Sequence, residues 1–321
     1  MRILVTGGAG FIGSNYVRRL TDGTLNGASE VVVLDKLTYA GNLENLSSIP
    51  ADRFRFVHAD IGDYSVVSKL IKQVDCVVNF AAESHVDRSI DNPGSFVDTN
   101  VKGMQVLLDV LREHGEKRLL QVSTDEVYGS IAEGSWNESC PVLPNSPYSA
   151  SKAASDLISR AHFITYGMDV VITRSSNNYG PFQHREKLIP VIITKLLMEQ
   201  KIPVYGDGTN VRDWLHVDDN CKAIHEVLLN GKAGEIYNIG GGNELSNIEL
   251  IRKILSILGK EEKEYIQFVP DRKGHDFRYS IDTKKIQEEI KFNPRIELQS
   301  GLKETIKWYE LNRDWWMGVE F

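Results

Sequence analysis

Cysteine is scarce in this chain. Cys76, Cys140 and Cys221 are its only three, far apart and without a Cys-x-x-Cys pair. An odd, scattered set excludes a disulfide framework and a thiolate metal site, and it fits the reducing cytoplasm. No apolar run approaches the roughly 20 residues that cross a bilayer. The first apolar run, Arg2 to Thr6, already reads as a strand, which leaves no room for a signal peptide. A cytoplasmic protein without a membrane partner is therefore expected. A basic surplus is also missing: 37 Lys and Arg against 44 Asp and Glu leave a net charge of −7. That balance argues against a nucleic-acid partner and requires any anionic ligand to meet locally placed cations. Repeats and low-complexity segments are absent. His85 and Asp87 complete no metal-ligand spacing, so no metal is expected.

What remains is an ordinary globular composition, 41% hydrophobic and 25% charged over 321 residues, enough for one or two domains. Strand and helix patterns alternate over the first 176 residues, which predicts an α/β fold, a Rossmann-like doubly wound parallel sheet. Ile3-Leu4-Val5 is a buried strand, and Ser14 to Leu20 continues as a helix. Between them, Gly8, Gly10 and Gly13 satisfy Gly-x-Gly-x-x-Gly, while Gly7, Gly10 and Gly13 satisfy Gly-x-x-Gly-x-x-Gly. Such glycines allow a tight turn and let a pyrophosphate approach a helix N-terminus. Asp35 ends the next strand, 22 residues after Gly13, at the spacing of a carboxylate on the adenosine ribose. It would repel a 2′-phosphate, so NAD rather than NADP is expected, with Lys36 beside it as a counterweight. Further strands are read at 54–57, 75–80 and 170–173, with Asp60 as a candidate helix N-cap and a helix from Asn92-Pro93 to about His114.

The stretch with the most chemistry runs from Ser123 to Lys152. Thr124-Asp125-Glu126 follow the apolar run Leu119 to Val122, so they sit at a strand's carboxyl end, where open α/β sheets place ligands. Ser146 and Pro147 read as the N-cap and first residue of a helix ending at Gly167. Tyr148 and Lys152 lie one turn apart on that helix, so the ammonium is expected near the phenol. A phenol with a pKa near 10 is a poor base at neutral pH, and a neighbouring cation favours the phenolate. Each feature alone is commonplace; a Tyr and a Lys at this spacing occur on many surface helices. Together, downstream of a nucleotide-binding pattern, they point to proton and hydride chemistry.

Tyr148-x-x-x-Lys152 with the glycine motif resembles the extended, nucleotide-sugar branch of the short-chain dehydrogenase/reductase superfamily. Thr124-Asp125-Glu126 narrows the resemblance to 4,6-dehydratases, over nearly the whole chain. The resemblance implies a catalytic set of Thr124, Asp125, Glu126, Tyr148 and Lys152. It implies NAD contacts from Gly7, Gly10, Phe11, Ile12, Gly13, Asp35, Lys36, Leu37, Thr38, Asp60, Ile61, Ala81, Ala82, Ser84, Thr99 and Asn178, besides Tyr148 and Lys152. It also implies a homodimer joined by the Asn92 and Tyr148 helices.

After Asn177 the βα rhythm fails, and a smaller mixed α/β lobe over 177–321 is expected to hold the substrate. Val211 to His216 and Glu235 to Gly242 read as returns to the main sheet, so that the lobes interleave. Lys187, Arg212 and Arg272 are the candidate phosphate partners, since arginine grips phosphate bidentately. The resemblance adds Ser84, Thr124, Asn177, Leu188, Pro203, Tyr205, Asn247, Asp271 and His275 to the substrate set, with dTDP-glucose as the implied substrate. Trp308, Tyr309, Trp315 and Trp316 read as a C-terminal helix packing on this lobe. The rivals are a nucleotide-sugar 4-epimerase, which needs no Asp-Glu pair, a dehydratase for another nucleotide sugar, and a catalytically dead NAD-sensing scaffold.

Overall fold

The structure is a computed structural model that describes residues 1–115, 117–271 and 274–318. Seven strands form one all-parallel sheet: β1 (Arg2–Thr6), β2 (Glu30–Asp35), β3 (Arg55–His58), β4 (Cys76–Asn79), β5 (Arg118–Thr124), β6 (Val170–Ser175) and, later in the chain, β10 (Ile236–Ile239). Their spatial order is β10-β6-β5-β4-β1-β2-β3, which reverses direction at β1. Strand order reverses where a doubly wound sheet opens its ligand crevice, here above β1 and β4. Alternation along β1 sends Ile3 and Val5 into one apolar layer and Leu4 into the other, so helices must cover both faces.

Those helices are α1 (Phe11–Thr21), α2 (Tyr64–Ile71), α3 (Val86–Asp91), α4 (Pro93–Phe96), α5 (Met104–His114) and α6 (Pro147–Tyr166). The expected helix from Pro93 to His114 is interrupted by a π-helical segment, Val97–Gly103. Asp60 is not a helix cap. Asp63 caps α2 by accepting from the Val66 N–H at 3.1 Å, while Asp60 accepts from Gly62 and pairs with Lys36 at 2.7 Å. On α6 the expected cap is present: Ser146 and Ser149 satisfy each other's backbone N–H groups in a capping box, and Gly167 ends the helix with φ 68°. A cap of this kind stabilises a helix by about 1 kcal/mol.

A buried polar ladder crosses the sheet. The Thr6 hydroxyl donates to Asn79 at 2.5 Å, the Asn79 amide to Gln121 at 2.6 Å, and the Gln121 amide to Ser155 on α6 at 3.0 Å. Because buried polar groups are costly unless paired, this ladder fixes β1, β4, β5 and α6 in one register.

Later in the chain come α8 (Val217–Asn230), which belongs with the main sheet, and the smaller lobe: β7 (Asn177–Tyr179), α7 (Leu188–Leu197), β8 (Ile202–Tyr205), β9 (Val211–His216), β11 (Glu244–Ser246), α9 (Asn247–Leu258), α10 (Glu262–Tyr265), β12 (Ile266–Val269), α11 (Leu298–Leu311) and α12 (Arg313–Met317). Of the two expected returns, only β10 joins the main sheet; α8 packs beneath that sheet. Strand β9 pairs instead with β7 on one side and β11 on the other, which occupies both its edges. A separate apolar core holds this lobe, built from α7, α9, α11 and Trp316. The tryptophan-rich C-terminus packs there as expected, although as two helices. Trp315 also reaches across to donate to Asn45 of the nucleotide half at 2.9 Å.

Candidate active site

The crevice at the carboxyl ends of β1, β4 and β5 is one continuous cavity. Its floor is the turn after β1. Gly7 adopts φ 67°, and a Cβ there would lie 2.5 Å from the Ala81 nitrogen; one on Gly13 would lie 2.2 Å from the Gly7 carbonyl oxygen. Only glycine permits that approach. Helix α1 then starts without a side-chain cap and without acidic residues in its first turn, so its N–H groups and positive end face the cavity.

Asp35 is 9% exposed and lines the same cavity. Its carboxylate accepts from the Ala9 N–H at 2.9 Å and the Leu37 N–H at 2.8 Å, which offsets part of the burial that raises its pKa. Leu37 has φ 54°, a left-handed conformation that is unusual outside glycine, and it turns the chain around Asp35 rather than lining the cavity. Lys36, Thr38, Asp60, Ile61, Ala81, Ala82, Ser84 and Thr99 line the wall as expected. The π-helical segment presents Thr99 to the cavity, while Asn100 is buried and does not line it. The Asn100 side chain accepts from the Glu83 N–H at 2.9 Å and donates to the Glu83 carbonyl at 3.0 Å, fixing the loop after β4.

At the inner end stand Thr124, Asp125, Glu126, Tyr148 and Lys152, all lining the one cavity with Asn177, Asn178 and Lys187. Thr124 ends β5, and its oxygen accepts from the Glu126 N–H at 3.2 Å, so the two carboxyls follow on a single 3₁₀ turn. Asp125 is 2% exposed. Burial, then the Glu126 and Asp213 charges, push its pKa well above the ordinary carboxylate range, against the opposing pull of Arg212. One oxygen accepts from Thr124 at 3.2 Å; the other is buried with no hydrogen-bond partner among the described residues. A neutral, proton-bearing carboxyl is what such surroundings favour.

Tyr148 and Lys152 differ from the simple expectation. Burial and then the Glu126 charge drive the Tyr148 pKa upward; the neighbouring Thr124 hydroxyl opposes them. The Lys152 ammonium donates to the Val122 carbonyl at 2.7 Å, and burial lowers its pKa to about 8. Spacing on the helix brings the two side chains into one cavity, but the protein alone does not provide a phenolate.

The remaining predicted residues do not line the cavity, and several gather around the segment after β12. His275 bonds Asp271 at 2.7 Å and packs edge-on to Tyr205 of β8, which also carries Pro203. Arg212, 5% exposed, donates to the carbonyls of Val211 and Asp276 at 2.7 and 2.9 Å and lies 4.3 Å above the Tyr279 ring. Asn247 opens α9 with its side-chain oxygen buried and unpartnered among the described residues. Leu188 opens α7 beside Lys187, whose Nζ donates to the Ser84 carbonyl at 2.9 Å. Arg272 and Lys273 lie outside the described residues.

Sequence reasoning missed Gln183 and His184 as cavity lining. Glu186 faces His85, His184 and Arg88 at 3.9, 3.7 and 3.5 Å. No periodicity marks these residues; loops bring them together. Asp156 was also missed, although its spacing from Lys152 follows the rule that paired Lys152 with Tyr148.

A family model described as GDP-mannose 4,6 dehydratase matches residues 4–305. The chain is 55% identical over 319 residues, covering 98% of it and 95% of the relative, to a dTDP-glucose 4,6-dehydratase of Streptomyces niveus. A dTDP-glucose 4,6-dehydratase from Actinoplanes sp. is 53% identical over 98% of this chain and 100% of the relative. Among solved structures, DesIV, a dTDP-glucose 4,6-dehydratase from Streptomyces venezuelae with NAD and TYD bound, has a TM-score of 0.98 at 54% identity, with both chains fully covered at 100%. A UDP-glucose 4-epimerase of Thermus thermophilus in complex with NAD shares the fold at a TM-score of 0.88 and 30% identity, over 97% of this chain and 99% of that one.

Proposed function

The chain belongs to the GDP-mannose 4,6-dehydratase family within the extended short-chain dehydrogenases, and from that premise we propose that it converts dTDP-glucose to dTDP-4-keto-6-deoxyglucose and water, as an NAD-dependent hydro-lyase of deoxysugar biosynthesis. One observation carries the choice over epimerisation: Asp125, buried with its pKa pushed upward, lies in the same cavity as Tyr148 and Lys152. An epimerase has no use for an acid at that place.

The residues fit the cofactor. The Gly7–Gly13 cradle and uncapped start of α1 suit a pyrophosphate, and Asp35 suits a ribose without a 2′-phosphate. We assign residues 1–176, with the return of β10, to the cofactor and 177–321 mainly to the nucleotide sugar. NAD, when bound, supplies a hydride acceptor and donor, and its positive ring favours the phenolate. Tyr148 takes the proton of the sugar 4-hydroxyl, helped by Lys152, as C4 is oxidised. The new ketone acidifies the C5 proton, which Glu126 removes. Asp125 gives its proton to the 6-hydroxyl, which leaves as water. Glu126 returns its proton to C5 when the exocyclic C6 is reduced. Tyr148 then holds one proton too many and Asp125 one too few; Thr124, which donates to Asp125 at 3.2 Å, neighbours both. Ser84, Asn177 and Lys187 serve the sugar and diphosphate at the mouth, while Arg212, Asn247, Tyr205 and the Asp271–His275 pair serve the nucleotide.

The decisive test follows the hydrogen at C4. Deuterated there, dTDP-glucose should give 4-keto-6-deoxy sugar deuterated at C6, without exchange between differently labelled molecules. Deuterium recovered at C4 would mark an epimerase, and free reduced cofactor in step with substrate an ordinary dehydrogenase.

We further propose a homodimer in the cytoplasm. Leu157 and Ile164, two turns apart on α6, are 54% and 62% exposed, an apolar stripe that suits burial against a second copy. Among the described residues no helix is long and apolar enough to cross a membrane. Changing both Leu157 and Ile164 to Glu should yield a monomer in light scattering; an unchanged mass would place the interface elsewhere.

A further inference from the structure

Lys152 is buried, and burial by itself discharges an ammonium. Its only direct hydrogen-bond partner among the described residues is the Val122 carbonyl, at 2.7 Å, which is neutral. One turn further along α6 lies Asp156, 1% exposed. The spacing puts Tyr148, Lys152 and Asp156 along one face of the helix. Asp156 accepts from Arg174 Nε of β6 at 2.9 Å through one oxygen; its other oxygen is buried and has no hydrogen-bond partner among the described residues. Arg174 itself is 3% exposed, and its guanidinium lies 4.6 Å above the Tyr128 ring. A buried carboxylate with one oxygen uncommitted is an unusual arrangement, since an ordinary structural ion pair would engage both.

We propose that Asp156 is a positioning residue for the first chemical step, holding Lys152 in its charged form so that the ammonium can assist Tyr148, with Arg174 competing for the Asp156 carboxylate and limiting its pull. The proposal rests on the functional reading above. Other charges do not take this part. Asp125 and Glu126, from the turn after β5, act on Tyr148. Asp98 and Lys102 of the π-helical segment pair with each other at the surface, as do Asp109 and Arg112 of α5. Arg88 of α3 faces Glu186 and Tyr39, and Asp87 and Asp91 stand on the same short helix. Among the described residues, Asp156 is the one charge that raises the Lys152 pKa, against the burial that brings it to about 8.

The signs follow directly. Removing the Asp156 charge makes Lys152 easier to deprotonate, so the alkaline limb of C4 oxidation moves to lower pH. Removing Arg174 takes away a competing cation, so that limb moves to higher pH. Charges a helical turn apart in a buried site shift a pKa by about one to two units, a roughly 10- to 100-fold change in proton affinity.

The experiment uses the NAD-bound enzyme and dTDP-glucose in single turnover, following reduced nicotinamide absorbance from pH 6 to 10. In parallel, the Lys152 ε-carbon is titrated by NMR in lysine-labelled, NAD-bound protein without substrate. Asp156→Asn should lower both midpoints by about one unit or more. Arg174→Gln should raise both, and it carries the test should Asp156→Asn fail to fold. A uniform loss of rate with both midpoints unmoved would reduce Asp156 to a structural ion-pair partner and overturn the proposal. Should wild-type enzyme fail to oxidise dTDP-glucose at any pH, the functional reading falls; the NMR midpoints still decide the coupling of Asp156 to Lys152.

Discussion

Asp125→Asn is expected to slow water loss by about 10² to 10⁴-fold, the usual worth of a positioned general acid, while C4 oxidation continues. The amide keeps the shape of the side chain and can still accept from Thr124 through its oxygen, as the carboxyl does at 3.2 Å. What it lacks is an acidic proton for the leaving hydroxyl. The native carboxyl is suited to hold that proton at neutral pH, because burial and the neighbouring Glu126 and Asp213 charges all favour its neutral form. In single turnover, reduced cofactor should therefore accumulate with little product following. An unimpaired product rate would remove Asp125 from the acid role.

Tyr148→Phe is expected to cost a comparable factor, about 10² to 10⁴, at an earlier point. Without the phenol nothing at that place takes the 4-hydroxyl proton, so reduced cofactor should not accumulate at all. The contrast between the variants separates the two proton transfers: one stalls after oxidation, the other before it. In the protein without cofactor, burial and the Glu126 charge hold the phenol protonated, and Lys152 is itself brought down to about 8. The phenolate thus depends on the cofactor's positive ring as well as on the ammonium. Tyr148→Phe should still bind NAD, since the Gly7–Gly13 cradle and Asp35 are untouched; loss of cofactor from this variant would make its inactivity uninformative about the base. Rapid oxidation by the variant would assign the base elsewhere.

The amino-acid sequence by itself determined the parallel sheet, the glycine turn, the Asp35 position, the cap at Ser146 and the spacing that brings Tyr148 and Lys152 into one cavity. Each is a local matter. A strand's alternation, a helix cap and a spacing of one turn are written within a few residues, and the chemistry of Tyr-Lys and Asp-Glu needs only their proximity. Tertiary structure decided what depends on residues distant in the chain. Strand β9 reads as a member of the main sheet, but pairing with β7 and β11 takes both its edges, and pairing partners are not encoded in a strand's own pattern. The π-helical segment puts Thr99 on the cavity wall and buries Asn100 against Glu83, through one irregular stretch that periodicity cannot show. Glu186, His184 and His85 meet because two loops converge. The protonation states belong to the fold as well. Asp125 is an ordinary carboxyl in sequence, and only its burial beside Glu126 and Asp213 raises its pKa, because desolvation and charge repulsion depend on what surrounds a group in space.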